Sequence, residues 1–362
     1  MKREGYLFDK MSEPSFIELA IRKASVGKRR RAVVARVLSS MPEHVEIIRQ
    51  LIVTDSFNPA PYHVFERYDS RNKKNRKIQR PKFFPDQCIH WMIVLACKKI
   101  FMRGMYFWNS GSIPKRGIRH GMRCVNRWMH NDHKNTKYVL KLDIRKYYDS
   151  IPHDKLMLSF SKKIKDKRML QMLSKIVKST GGTVGIPIGN YTSQWFANFY
   201  LEGLDHFIKE QIGVEYYTRY IDDMVLFGRN KKRLHRARIA IHEYLSINLG
   251  LDLKHNYQVF PADSRGLDFL GFVQFHTHRK LRKRNGLALI RQSRRIRKKL
   301  STNEQISYKD ASGFISRIGS FSFFNSFHMQ QKYGNIDIDM LKDTIRSYTK
   351  RFDNISKESH LT

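Results

Sequence analysis

Between Tyr216 and Gly228 the chain reads YYTRYIDDMVLFG, two β-rich runs flanking an acidic pair. Runs of this kind on either side of turn-tolerant acids predict an antiparallel hairpin with Asp222 and Asp223 at its tip. Earlier in the chain, Tyr138 to Ile144 alternates β-branched and aromatic residues with Lys141 and Asp143, predicting a strand that ends at Asp143. Acids at a strand end and at a hairpin tip in one sheet can converge on a pair of divalent cations about 4 Å apart, an arrangement suited to phosphoryl transfer. Taken singly, each of these acids is more simply a turn carboxylate.

The acids stand out because the chain is so basic. It carries 69 Lys and Arg against 32 Asp and Glu, a formal net charge of +37 over 362 residues. With 41% apolar and 12% aromatic residues it can bury a core, which excludes a disordered basic tail. Such a field calls for a polyanionic partner, either nucleic acid or an anionic membrane. Membrane insertion has little support. The longest apolar stretch, Ile89 to Cys97, is about half a bilayer span, contains His90 and runs into Lys98 and Lys99. The N-terminus mixes both charge signs without a hydrophobic run, so no secretory signal is expected. The cysteines Cys88, Cys97 and Cys124 form no CxxC, and with His90 they match no zinc-ligand spacing. A reducing, cytoplasmic location is expected.

Boundaries follow shifts of charge and pattern. From about Ser15 to Thr54 the chain reads as helices punctuated by Gly27 and Pro42. Arg71 to Lys82 holds seven basic residues in twelve and precedes an apolar, helix-like stretch to about Met102. Thr192 to Glu210 has helical spacing after an N-cap-like Asn190 or Thr192, and Lys231 to Leu249 is helical and stops at Gly250. LDFLGFVQF again reads as strand. Arg279 to Leu300 has eleven basic residues in twenty-two and no acid, a one-signed density that suits a phosphate backbone better than a solvated helix face.

In order, the blocks VLKLDIRKYYDSIP, GIPIGNYTSQWFANFYL, YIDDMVLF and LDFLGF resemble those of a reverse transcriptase, over about Arg76 to Phe275. The resemblance implies an α+β right-hand polymerase: a helical N-terminal extension over 1–60, fingers and palm over 61–275 and a basic helical thumb over 276–362. It implies two Mg²⁺ ions, with Mn²⁺ a substitute, held by Asp143, the backbone of Ile144, Asp222 and Asp223. Tyr148 matches the aromatic beneath the incoming sugar, whose ring would collide with a 2′-hydroxyl and so favour dNTPs. Tyr220 would touch the primer end. Lys77 and Arg80 resemble the fingers residues on the triphosphate, although plain surface charge is the bland alternative. Phe269, Leu270 and Gly271 resemble the primer grip, with an ordinary core strand as the alternative. Gly111 to Gly121 resembles a loop that follows the template, and a generic loop remains open there. The thumb cations Arg294, Arg295, Arg297 and Lys298 would grip the template-primer backbone.

Where most reverse transcriptases read QGxxxSP, this chain has Ile188, Gly189, Asn190, Tyr191, Thr192, Ser193 and Gln194, with Ile188 and Gly189 on the nucleotide. That form, with KASVGKRRR near the N-terminus and RKLRKRN after FLGF, resembles the enzymes of diversity-generating retroelements. The resemblance implies copying of a template-repeat RNA into cDNA with errors at template adenines, and a small basic accessory protein assembled as a pentamer. Another bacterial reverse transcriptase, of phage-defence or intron type, and an idle RNA-binding protein of the same fold are the alternatives. One departure touches the chemistry: LGLDLKHNYQV places Tyr257 where a lysine near the leaving pyrophosphate is expected, leaving Lys254 or His255 as substitutes.

Overall fold

The computed structural model describes residues 3–69 and 74–358, so Arg71 and Lys73 of the predicted basic run lie outside the described residues. The chain opens with four helices: α1 (Leu7–Met11), α2 (Pro14–Ser25), α3 (Ala32–Ser39) and α4 (Met41–Val53). Two exposed strands follow, β1 (His63–Asp69) and β2 (Lys74–Arg80), then α5 (Cys88–Arg103) and α6 (Ile118–Asn131). The middle carries β3 (Tyr138–Asp143), α7 (Tyr147–Ser150), α8 (His153–Ser161), α9 (Lys167–Val177), α10 (Tyr191–Tyr200), α11 (Glu202–His206), β4 (Tyr217–Tyr220), β5 (Asp223–Gly228) and α12 (Lys231–Tyr244). The C-terminal part holds β6 (Gln258–Pro261), α13 (Ala262–Arg265), β7 (Leu267–Phe269), β8 (Phe272–Gln274), β9 (Arg279–Leu281), α14 (Lys283–Ser301), α15 (Tyr308–Ile318), α16 (Phe327–Met329) and α17 (Ile338–Glu358). This is the α+β class expected.

Two units divide the chain, each discontinuous in sequence. The first comprises 1–117 and 140–259, the second 118–139 and 260–362. In the first, β1 and β2 form an antiparallel ribbon, and a four-stranded sheet runs in the order β4-β5-β3-β6. Its core is aromatic: Phe101 of α5 meets Phe160 of α8 and Trp195, Phe196 and Phe199 of α10 at ring separations of 5.3–6.2 Å. Helix α10 is almost wholly buried, and it buries Thr192, Ser193 and Asn198 along with its aromatic residues, leaving Gln194 to the exposed side. Asn190 occupies its N-cap position, yet the side chain makes no capping bond; its Nδ2 donates to Tyr62 Oη at 2.8 Å instead. Helix α12 continues through a π-helical turn, Leu245–Leu249, and ends at Gly250 in the left-handed conformation (φ 63°).

In the second unit, β7, β8 and β9 form an antiparallel meander. Phe269 pairs with Phe272 across the two-residue turn Leu270-Gly271, where both residues have positive φ (51° and 95°), as a tight hairpin demands. Leu289 and Ile296 of α14 pack on Ala311 and Phe314 of α15 and on Leu341 of α17. That seam leaves the polar side of α14 to solvent, so Arg294, Arg295, Arg297 and Lys298 are all exposed. They are not equivalent, since Arg295 lies 3.2 Å from the buried carboxylate of Asp310, which Lys299 also approaches at 3.7 Å.

Candidate active site

Strand β3 delivers Asp143 to its place. Beyond it, Ile144 forms an antiparallel bridge with Leu253, and the amide of Lys254 donates to the Asp143 carbonyl at 2.8 Å. Buried Val139, Leu140 and Leu142 anchor the strand while Lys141 and Asp143 alternate toward the solvent side. In the neighbouring hairpin Tyr220 pairs with Asp223, so Ile221 and Asp222 make the two-residue turn. Ile221 sits at φ 59°, a left-handed conformation that costs a β-branched residue about 1–3 kcal/mol.

The sheet topology carries Asp143, Asp222 and Asp223 to neighbouring strand ends, with lysines among them. Lys254 Nζ lies 2.6 Å from Asp143 Oδ2, and Lys141 Nζ lies 3.6 Å from Asp223 Oδ2. Asp143 Oδ1 is buried with no hydrogen-bond partner. Burial first, then the charges of Asp143 and Asp223, push the Asp222 carboxyl up to about 7. A carboxylate destabilised in this way, beside a buried oxygen that nothing satisfies, fits a divalent cation. Among the described residues no three His, Cys, Asp or Glu side chains are grouped to hold a metal by themselves.

The sign of the Asp222 shift gives a measurable result. Because its folded pKa lies above the unfolded value near 3.9, the folded state binds the extra proton, and stability is lost as pH rises from about 4 through 7. In metal-free buffer, Asp222→Asn should therefore be more stable than the parent at pH 8, by up to about 4 kcal/mol, and nearly equal to it at about pH 3. Thermal melts of both proteins in EDTA at the two pH values read this directly. An equal difference at both would refute the linkage.

Tyr148, Ile188, Gly189 and Arg80 all line one cleft of 650 Å³, together with Arg76, Trp91, Tyr191 and Gln194. Tyr148 is fixed by its neighbour: Tyr147 is buried and its hydroxyl donates to the Ala197 carbonyl at 2.5 Å. The Tyr148 hydroxyl is pushed well above its ordinary range by burial and then by the charge of Asp222. Gly189 is required by close approach. The amide of Gln79 in β2 donates to the Ile188 carbonyl at 2.8 Å, and a Cβ on Gly189 would stand 2.3 Å from the Gln79 oxygen.

Lys77 stands apart from the cleft. It is opposite Glu66 in the ribbon and is not among the residues lining the cleft, whereas Arg76 is. Strand alternation is the reason: Arg76 and Arg80 share a face and Lys77 has the other. The N-terminal cations Lys23, Lys28 and Arg31 also line the cleft, which the sequence reading missed. Lys28 Nζ donates to Gln87 Oε1 at 2.5 Å, and burial, followed by Arg31, lowers its pKa. Tyr257, where a lysine was expected, packs its ring 4.7 Å from the Arg238 guanidinium, while Lys254 has taken up Asp143. Phe269, Leu270, Gly271 and the α14 cations belong to the second unit.

Residues 72–273 match the family described as reverse transcriptase (RNA-dependent DNA polymerase), a span that includes the aspartates and most of the cleft. The chain belongs to that family of RNA-dependent DNA polymerases. Over 285 residues it is 22% identical to protein YkfC of Escherichia coli, covering 67% of this chain and 72% of that one. A 91 kDa protein in the cob intron of Schizosaccharomyces pombe is 37% identical over 174 residues, 46% of this chain and 21% of its own length. The group II intron-encoded protein LtrA of Lactococcus lactis is 24% identical over 176 residues, 46% of this chain and 28% of its own. The chain thus spans about a quarter of these intron proteins. Apo telomerase from Candida tropicalis aligns with a TM-score of 0.49 at 13% identity, over 83% of this chain and 59% of that one. Among the described residues no helix is long and apolar enough to cross a membrane.

Proposed function

We propose that this chain copies an RNA template into cDNA with low fidelity, as the polymerase of a diversity-generating retroelement. What supports this reading is the cleft in which Tyr148 and Ile188 stand together with Arg76 and Arg80, beside Asp222. Asp143, Asp222, Asp223 and the carbonyl of Ile144 would hold Mg²⁺, with Mn²⁺ as substitute. Divalent cations bound there lower the pKa of the attacking primer hydroxyl and stabilise the charge of the transferred phosphoryl group. The residues of the chain do the rest. Arg76 and Arg80 bind the triphosphate, Tyr148 underlies the sugar, and Tyr220 adjoins the primer terminus. The β7–β8 turn, Phe269 to Gly271, steadies the primer, and Arg294, Arg295, Arg297 and Lys298 hold template-primer phosphates without reading sequence.

Ile188 carries the low-fidelity part. At a position where a glutamine amide could hydrogen-bond around the nascent pair, isoleucine is stiff and offers no polar contact. Losing one such contact changes discrimination by about 1–3 kcal/mol, roughly ten- to a few hundredfold. Ile188→Gln should lower misincorporation by a factor in that range, most of all opposite template adenine. Steady-state incorporation of each dNTP opposite each template base measures it, and equal error rates for parent and variant would discard the mechanism.

A basic pentameric accessory protein would complete the assembly. With +37 on this chain, direct contact between two basic surfaces is unfavourable unless RNA bridges them or the patch is locally acidic or apolar. An imperfect repeat pair beside the coding sequence, differing only at adenines, would separate this reading from an intron or phage-defence enzyme.

A further inference from the structure

Arg219 is fully buried, which is uncommon for arginine, and its partner Asp205 is equally so. Its guanidinium spends every donor group locally. Nε and Nη2 fork onto the Asp205 carboxylate, Nη1 donates to the Ile221 carbonyl at 2.8 Å and to Asn198 Oδ1 at 3.3 Å, and Nη2 also reaches the Asn198 carbonyl. Tyr217 adds a hydrogen bond to Asp205 at 2.7 Å. A buried pair of this kind is poor evidence for stability, because apolar residues of similar volume often stabilise a fold as well or better. What it provides is a fixed position for the group it touches. That group is Ile221, the left-handed residue immediately before Asp222.

The opposite side of the turn is fixed by the same network. Asn198 Nδ2 donates to the Gly111 carbonyl at 2.7 Å, and Asn109 Nδ2 donates to Asn198 Oδ1 at 3.0 Å. The Ser110 amide bonds the Arg219 carbonyl at 2.8 Å. Gly111 must be glycine for reasons of space, since a Cβ there would stand 2.5 Å from the Ile221 nitrogen. Ile221 is thus held between the Arg219 guanidinium and the Gly111 backbone, and Asn198 ties the two together.

We infer that Arg219, locked by Asp205, is a positioning residue for polymerisation: it holds Ile221 left-handed so that Asp222 projects from the turn toward Asp143. The inference rests on the carboxylate reading above. Lysine at 219 keeps the charge facing Asp205 but has no planar fork to reach Asp205 and the Ile221 carbonyl together. Misplacing a reacting group by about 1 Å can cost roughly a hundredfold. In single-nucleotide primer extension Arg219→Lys should lower kcat by about that factor, with KM for dNTP and RNA affinity changed less than about threefold.

The decisive measurement is a double-mutant cycle with Ile221→Gly. Glycine adopts the left-handed conformation unaided, so in that background Arg219→Lys should cost only about a few fold. A role confined to packing would make the two losses multiply, and that result overturns the inference, as does wild-type kcat for Arg219→Lys. Should Arg219→Lys melt below the assay temperature, Gly111→Ala takes its place. It displaces Ile221 from the other side with the Arg219–Asp205 pair intact, and the same loss and the same relief by Ile221→Gly are expected. Asp222→Asn is run in parallel. If it retains full synthesis, the carboxylate reading fails and this inference with it; if it is inactive while the cycle is additive, only the positioning role fails.

Discussion

Asp222→Ala should reduce cDNA synthesis by roughly a thousandfold or more, about 4 kcal/mol of transition-state stabilisation, while leaving RNA affinity within about twofold. Asp143→Ala should do the same. In the proposed mechanism the two effects separate: the carboxylates would act on the reacting phosphoryl group, whereas affinity for a polyanion would come from the 69 Lys and Arg spread over the chain. Removing Asp222 also removes a charge that the protein itself disfavours, since its carboxyl is already pushed up to about 7. The inactive variant should therefore fold well. Primer extension and a binding titration on the same preparations test this, and synthesis within tenfold of the parent would remove both residues from the centre.

The second large effect concerns the sugar. Tyr148 is only partly exposed, lines the cleft and is restrained through the buried Tyr147 at its side, the two rings 5.7 Å apart in a T-shaped contact. A ring held this firmly excludes by collision, so truncation opens space without removing a hydrogen bond. Tyr148→Ala should admit rNTPs, lowering dNTP over rNTP selectivity by about a hundredfold, or nearly 3 kcal/mol. Single-nucleotide incorporation of matched dNTP and rNTP pairs measures the ratio. An unchanged ratio would mean that another group gates the sugar.

Much of this arrangement was legible because its signals are local. The YIDD hairpin announces itself by two β runs with acids between them, and Asp143 by the strand it ends. Gly250 closes α12 where the helical spacing stops. Other parts depend on pairings that no window of sequence contains. Arg219 looks like one more cation in a chain full of them; its meaning comes from Asp205, on a different element, and from Asn198 and Gly111 beyond that. Lys254 was considered only for the leaving group, yet its backbone bond to β3 carries its ammonium to Asp143. Arg76 could have been found. Had the basic run been read as a strand, period two from Arg80 would have put Arg76, not Lys77, on the same face.

The interleaving of the two units bears on how the chain is made. Helix α6 and the start of β3 leave the ribosome early, but the rest of their unit begins only at Phe260. Meanwhile Met122, Val125, Trp128 and Met129, all buried in the finished protein, have nothing of their own unit to cover them. Some 120 residues must still be translated, which at about 5–20 residues per second is an interval of roughly 6–25 s. The first unit waits as well, since its opening 117 residues lack the sheet that follows Leu140. The second half of this protein cannot be finished until all of the first has been synthesised, so nascent chains depend on whatever shields the apolar face of α6 during translation. A truncation after Val259 would leave α6 uncovered, not a smaller polymerase.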